Sequence, residues 1–532
     1  MTLATGIPAG TPKDGFRLSM LIYDTRFRAI TIQVVVLILF LLLVGWLVDN
    51  TIQNLAAKDK DINFNFLWVR AGYDIEQQLI PYNNDMTHGR AVIVGLLNTL
   101  VVAFFGCIFA TVIGVFAGVL RLSKNWLVAG LMTIYVETFR NVPLLLWIIV
   151  IFVVTSELAP QPKDFKVTAD MLANRALLEG IESAAHATFL SRITSLDVFG
   201  APFLMWLFVG IGLTLATWQY ARSRFGVAAK GIVTGLAALT AALWIVLALT
   251  TFNHALSRPL EIDPAIANAP TKPVASKILF GTVGLTNRGT YAPAPLLTRP
   301  LGGTEFAGVR LNYSVLATLA AIIGSVLVNR LVRRRARVIQ ESTGVRPTTW
   351  WKSILILFAP VVLLLLAMGL HLEIPAFATD ENGVSSGFNF QGGFLIQHSF
   401  TALLIALSLY TGAFIAEIVR SGIMAISHGQ SEAAFALGLR PGRTMNLIIL
   451  PQALRVIIPP LISQFLNLTK NTSLGIAVSY LDLKGTLGGI TLNQTGRELE
   501  CMLLMMLTYL IISLLISSLM NVYNNAVKLK ER

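Results

Sequence analysis

AVIVGLLNTLVVAFFGCIFATVIGVFAGV, residues 91–119, runs for 29 positions without a charged side chain. About 20 residues of helix cross the ~30 Å hydrocarbon core of a bilayer, so the run is long enough to span one. Similar apolar runs occur at 29–48, 127–156, 201–220, 231–252, 314–329, 353–371, 397–419, 445–466 and 501–523. Across the 532 residues, 55% are hydrophobic and 13% charged. Soluble domains carry about 25% charged residues, so much of this surface does not face water. The expected fold is an all-α membrane protein of about ten transmembrane helices. Pro143, with Glu137 and Arg140 nearby, predicts a kink or break in the 127–156 run. The polar leader to residue 28 is long for a signal peptide, and 29–48 reads as a retained first helix.

Charge orients the chain. With the N-terminus inside, the inner segments 1–28, 120–126, 221–230, 330–352, 420–444 and 524–532 hold 22 Lys and Arg in 102 residues, against 17 in 206 for the outer loops. The positive-inside rule then puts both termini in the cytoplasm. The net charge of +13 is accounted for by this bias and needs no nucleic-acid partner. The outer loop 253–313 is rich in Pro, Gly, Ala and Thr and reads as irregular. Cys107 and Cys501 both sit in apolar runs, which excludes a disulfide framework and gives neither a metal-ligand neighbour. Gly106, Ala110, Gly114 and Gly118 recur at four-residue spacing and let another helix approach closely, within the bundle or at a subunit seam.

EAAFALGLRPGRTMNLIILP, residues 432–451, carries the function. Residues 430–437 favour a short helix, Gly438 suits its left-handed end, and RPGR at 440–443 makes the turn into the next span. Glu432 can offer a charge to a partner or cap backbone amides near the helix start. A short helix held between two spans on the cytoplasmic side is a lever for whatever docks on it. The pattern Glu432, Ala433, Ala434, three residues, Gly438, nine residues, Ile448, then Leu450 and Pro451 resembles the coupling-loop signature of binding-protein-dependent ABC importer permeases. AFIAEIVRSGIMAI (413–426), LNLTKNTSL (466–474), the block 98–123 and YVETFRNVPLLL (135–146) resemble the polar amino-acid branch. TLNQTGRELE (491–500) and the extra N-terminal span resemble the general L-amino-acid permeases of Gram-negative bacteria.

The resemblance implies a type I ABC importer permease domain over 91–523, with a five-helix core in 91–156 and 397–523 and an insertion of about four helices at 157–396. Residues 1–90 would then form an N-terminal tail, an extra peripheral helix and a periplasmic loop, and 524–532 a cytoplasmic tail. It implies Glu432, Ala433, Ala434, Gly438, Leu450 and Pro451 as the contact for a separate cytoplasmic ATPase that carries the ATP and Mg. It further implies a periplasmic amino-acid-binding protein, a second permease subunit (homodimer or, preferred, heterodimer) and a bacterial inner membrane. This chain itself would bind no cofactor. It contains no Gly-Lys dipeptide, so no P-loop exists in it. Nor does it contain HExxH, the mark of a zinc-dependent membrane protease.

Charges at membrane depth are costly and face a bundle interior or cavity. Glu137 with Arg140, and Glu417 with Arg420, are spaced to pair along one helix face, where they either hold helices together or line the pathway. Asn141, Lys470, Asn471, Thr472 and Ser473 are further pathway candidates, the last four equally suited to its outer mouth. The alternative function is an ion-coupled secondary amino-acid transporter, for which Glu137 and Glu417 would be ion ligands; it leaves the 432–451 pattern unexplained.

Overall fold

A computed structural model of the chain describes residues 25–57, 62–157, 159–166, 197–198, 201–225, 237–245, 247, 277–279, 281–306, 309–345, 347–381 and 384–527. The main helices are α1 (Thr25–Ala56), α2 (His88–Leu120), α3 (Trp126–Asn141), α4 (Leu144–Glu157), α5 (Phe203–Phe225), α6 (Tyr313–Thr343), α7 (Trp350–Ala367), α8 (His398–Met424), α9 (His428–Ala436), α10 (Leu450–Asn471) and α11 (Glu498–Val527). Among the described residues, seven helices are long and apolar enough to cross a membrane, or eight if α3 and α4 count as one bent span. The expected span at 201–220 is helical as α5, and the one at 231–252 lies only partly within the described residues.

The break in the third span falls where Pro143 predicts. Val142, forced extended by the proline that follows it, has φ −99° and ψ 131°, and α3 and α4 diverge by 104°. Phe139 and Trp147 stack across the bend at 4.3 Å.

The bundle is organised around α8, of whose membrane window 61% is buried inside the chain. The same share is 33% for α2, 11% for α6, 6% for α7 and zero for α1, so those last three present their apolar surface to lipid. Gly106, Ala110, Gly114 and Gly118 form the face of α2 that packs on α8 and α10. A Cβ on Gly114 would lie 2.6 Å from Ile415 Cβ and 2.8 Å from the Gly412 carbonyl oxygen. One on Gly118 would lie 2.6 Å from the Ala416 carbonyl, and one on Gly106 3.1 Å from Leu468. The small-residue stripe is therefore a contact inside the bundle.

At the other end of α2 a buried polar seam joins it to the 479–486 turn. Tyr480 OH donates to the Asn98 carbonyl at 3.1 Å, Asn98 Nδ2 to the Leu481 carbonyl at 3.0 Å, and the Leu483 amide to Thr99 Oγ1 at 3.0 Å. Asp482 is fully buried beneath them. Its carboxylate accepts from the Gly485 amide at 2.9 Å and from Tyr509 of α11 at 3.2 Å, with the Thr472 hydroxyl 3.4 Å away. Burial pushes this carboxyl up to about 6, although the Gly485, Tyr509 and Thr472 donors pull the other way.

The chain departs from an all-helical reading between 284 and 396, where short antiparallel strands occur. Gly289–Ala292 pairs with Gly284–Thr286 and with Phe394–Ile396, and Ala294–Leu297 pairs with Leu370–Glu373. The expectation of irregular structure over 253–313 is thus corrected for its second half. Two of these pairings join strands from different loops, so no periodicity within one loop announces them. These pairings put the 253–313 and 372–396 loops on one side of the membrane. The Asn287 amide bond to the Pro160 carbonyl, 2.8 Å, adds the 157–200 loop. The Asn63 amide bond to Glu500, 3.0 Å, joins the 49–90 and 467–500 loops, and Phe400 meets Tyr480 at 6.0 Å to link the two sets. The alternation read from the charges is consistent with all of these contacts.

Two expected outcomes test this packing. Gly114→Ala and Gly118→Ala should each destabilise the protein by about 1–3 kcal/mol by overpacking. Gly324→Ala, where a Cβ meets nothing within 4 Å, should be neutral or slightly stabilising. Thermal unfolding of all three in one detergent decides; equal melting of Gly114→Ala and Gly324→Ala would rule out the close contact. The second concerns Asp482, whose folded-state carboxyl titrates above its unfolded value. Its contribution to stability is full below the unfolded value near 4 and is lost as pH rises through about 6. Acidifying from pH 7.5 to 5 should therefore raise the melting temperature of the native chain more than that of Asp482→Asn, and an equal rise in both would dismiss the buried carboxylate as its source.

Candidate functional site

The 432–451 segment folds as its residues dictate. Helix α9 starts at His428, two residues before the expected start, with Ser427 as N-cap in extended conformation. Glu432 consequently lies in the second turn, beyond reach of the free amides at the helix start, so it does not cap them. It is exposed, as is Ala433. Ala434 faces inward and is buried. The helix leans on the Met445–Ile449 turn.

Gly438 ends α9 in the left-handed conformation, φ +74°. Its amide bonds the Phe435 carbonyl at 2.9 Å, and the Leu439 amide bonds the Ala434 carbonyl at 3.0 Å. This nested pair is the Schellman arrangement, which closes the orphan carbonyls of the last turn. A Cβ at Gly438 would meet nothing within 4 Å, so the need for glycine here is set by backbone conformation and not by crowding inside the chain. Phe435 and Leu437 beside it are exposed apolar side chains.

The return into the membrane begins at Pro441, the first residue of a short helical turn, where a missing N–H costs nothing. The backbone then widens to a π-helical turn over Met445–Ile449, and the Leu450 amide reaches back to the Met445 carbonyl. Pro451 explains the widening: its ring would clash with a carbonyl four residues back, and it has no amide to donate. Leu450 is exposed at the start of α10. Gln452 Nε2 reaches Gln430 at 3.5 Å, a direct link from α10 to α9.

The charged candidates fall into two clusters. Toward the C-terminal end of α8, Arg420 grips Glu417 with two bonds, Nη2 to Oε1 at 2.6 Å and Nε to Oε2 at 3.3 Å. This is the pairing that the spacing predicts. Arg121, just past the end of α2, donates to Oε2 of the same carboxylate and lies 4.0 Å from Glu137. The Arg121 side chain is only 9% exposed, and three helices meet at one half-buried ionic junction.

Glu137 and Arg140 do not pair with each other. Glu137 takes Arg121 and, at 3.4 Å, the amide of the exposed Asn141. Arg140 stacks over the Phe414 ring with 5.3 Å to its centroid. Sequence reasoning missed Arg121, which reads there as an ordinary inner-loop charge.

The second cluster is at the end of α10. Lys470 is exposed, while Asn471 and Ser473 are half-buried. Thr472 is buried against Asp482, the carboxylate of the polar seam. Among the described residues no three His, Cys, Asp or Glu side chains gather as a metal site.

Residues 314–529 match the family described as binding-protein-dependent transport system inner membrane component. The chain is 52% identical over 522 residues to the glutamate/glutamine/aspartate/asparagine transport system permease protein BztB of Rhodobacter capsulatus, covering 98% of each. It is 32% identical to the general L-amino acid transport system permease protein AapQ of Rhizobium johnstonii, again over 98% of each. These end-to-end matches extend through 157–396. The glutamate/aspartate import permease protein GltK of Escherichia coli is 30% identical over 205 residues, 38% of this chain and 85% of that one. None of these relatives favours an ion-coupled transporter. The chain belongs to the binding-protein-dependent transport system inner membrane component family, as a permease of an ABC-type amino-acid importer.

Proposed function

We propose that this permease forms the translocation pathway of the importer and is driven through α9 by a separate cytoplasmic ATPase. The observation that carries the reading is the Schellman-capped helix α9, held between α8 and α10 with Phe435 and Leu437 exposed beside Gly438. An exposed apolar rim next to a residue without a side chain suits insertion into a partner's groove. Closure of the ATPase on ATP and Mg swings α9; α8 and α10 follow, and differential nucleotide binding shifts the inward–outward equilibrium.

The ionic junction gives this motion a route. Glu417 and Arg420 sit one to two turns before the end of α8, and Arg121 ties them to α2 while facing Glu137 on α3. Arg121, Glu137, Glu417 and Arg420 are positioning residues in this reading, and Arg140, Asn141 and Lys470–Ser473 remain candidates for the pathway wall.

The core is α2, the bent pair α3 and α4, α8, α10 and α11. The burial gradient, from 61% for α8 to zero for α1, supports α1, α6 and α7 as peripheral. The multi-pass chain would lie in the bacterial inner membrane with both termini cytoplasmic, beside a second permease, a heterodimer being preferred, and beneath a periplasmic binding protein. The 52% identity to a glutamate/glutamine/aspartate/asparagine permease supports acidic amino acids and their amides as substrates.

Gly438→Asp tests the coupling. Aspartate tolerates left-handed backbone better than most residues, and the site is open within the chain, so the local cost is about 1 kcal/mol. In the reconstituted complex, ATP hydrolysis stimulated by loaded binding protein should nevertheless be abolished, because the side chain enters the partner's groove. Glu432→Ala should be mild, since an exposed rim charge contributes little. Intact assembly and stimulated hydrolysis in Gly438→Asp would refute the assignment of α9.

A further inference from the structure

Helix α6 does not end where the membrane does. It has 31 residues, about 46 Å of helix, against a hydrocarbon core of about 30 Å. Counting about 20 residues from Tyr313 brings the core boundary to the neighbourhood of Val332. Helix α7 gives a second mark at the same level. Its 18 residues are about as long as the core is thick, and Trp350 and Trp351, both exposed at its start, suit the aromatic belt of the interface. Arg333 Nε reaches Ser353 Oγ at 3.4 Å, so Arg333 stands level with the first turn of α7.

The arginines lie across this boundary. Arg330, Arg333, Arg334 and Arg337 fall within about 100° of the helix circumference, and Arg335 lies off that sector. The stripe is about 10 Å long, close to the depth of a headgroup layer plus the reach of a snorkelling side chain. All four are exposed. Among the described residues none has a carboxylate within ion-pair distance, and Glu341, the acid one turn further along the same face, pairs with none of them. The buried face lies about 110° round the helix from the middle of the stripe: Ser325, Asn329 and Ala336 are buried. Between the two faces, Leu327, Leu331, Val338 and Ile339 are exposed and apolar.

We propose that Arg330, Arg333, Arg334 and Arg337 form a binding site for the phosphate diester headgroups of anionic phospholipids. Only 11% of the α6 membrane window is covered by the chain, so acyl tails already line the helix, and their phosphates arrive where the tails end. Four unpaired guanidiniums in a row match that charge, and each is a planar fork suited to two phosphate oxygens. Setting topology requires only positive charge in the loop; a single-face stripe at headgroup depth requires more.

The test uses the full chain in mixed micelles containing phosphatidylglycerol or phosphatidylcholine, with retained lipid counted by native mass spectrometry. Retention of phosphatidylglycerol should exceed that of phosphatidylcholine by about tenfold. The fourfold change R330Q/R333Q/R334Q/R337Q should bring the ratio close to one, R335Q should keep it, and replacement of all four by lysine should retain part of it. Equal retention of the two lipids by the native chain would overturn the proposal, and that arm does not depend on any variant folding. So would loss of the preference in R335Q, which would make it a diffuse effect of charge. Loss of ATPase co-purification by the fourfold variant with its lipid preference intact would make the stripe a protein contact and also overturn it.

Discussion

The close approach of α2 to α8 is the contact on which the rest of the bundle depends. In lipid, helices gain nothing from leaving an apolar solvent, so association rests on how closely their backbones can meet. Gly114 and Gly118 bring α2 so near that any Cβ would run into the carbonyl oxygens of Gly412 and Ala416. That proximity buries α8 more deeply than any other spanning helix. It also fixes what happens at the two ends of α2. At one, Asn98 and Thr99 are delivered to the backbone of Leu481 and Leu483 and seal the turn over Asp482. At the other, Arg121 arrives beside Glu417.

The two ends are chemically unlike. The seam at the N-terminal end of α2 is a buried, hydrogen-bonded network in which backbone groups of the 479–486 turn are satisfied by side chains of a distant helix, the arrangement that non-helical backbone requires near a membrane. The junction at the C-terminal end of α2 is ionic and partly open, with Glu417 shared between a partner on its own helix and one on another. A hydrogen-bonded network with fixed geometry suits a hinge. A junction of flexible, charged arms suits a seam that transmits force and tolerates small displacement. The short helix α9 begins four residues after α8 ends, and the widened turn before α10 absorbs the proline that would otherwise disrupt the return.

Much of this was legible in the sequence because the signals are local. Pro143 dictates an extended Val142 and hence the bend. Gly438 after a run of helix formers dictates a left-handed stop. The four-residue spacing of small residues on 106–118 dictates a close-packed face. What was not legible depends on partners far away in the chain. The strands at 284–297 pair with 370–373 and 394–396, and neither loop alternates strongly enough to be recognised alone. Arg121 has the composition and position of a topology marker; only the α2–α8 packing turns it toward Glu417. The same packing draws Glu137 away from Arg140, whose spacing alone had suggested a pair. Asp482 sits in an unpatterned loop, and nothing near it in sequence reveals that Tyr509 and Thr472 close over it.

The central claim is that α2, α8 and α9 move as one lever when the ATPase acts. The most direct measurement is the distance between spin labels at Lys124→Cys, in the turn after α2, and Gly429→Cys, on α9, where a side chain meets nothing within 4 Å. Cys107 and Cys501 are replaced beforehand, and a third label at Gly344→Cys, just past the end of the peripheral α6, serves as the reference. In the reconstituted importer the 124–429 distance should be the same without nucleotide and with ATP trapped, while the 429–344 distance changes. A 124–429 distance that shifts with ATP would contradict a single lever and leave α9 moving independently of the bundle.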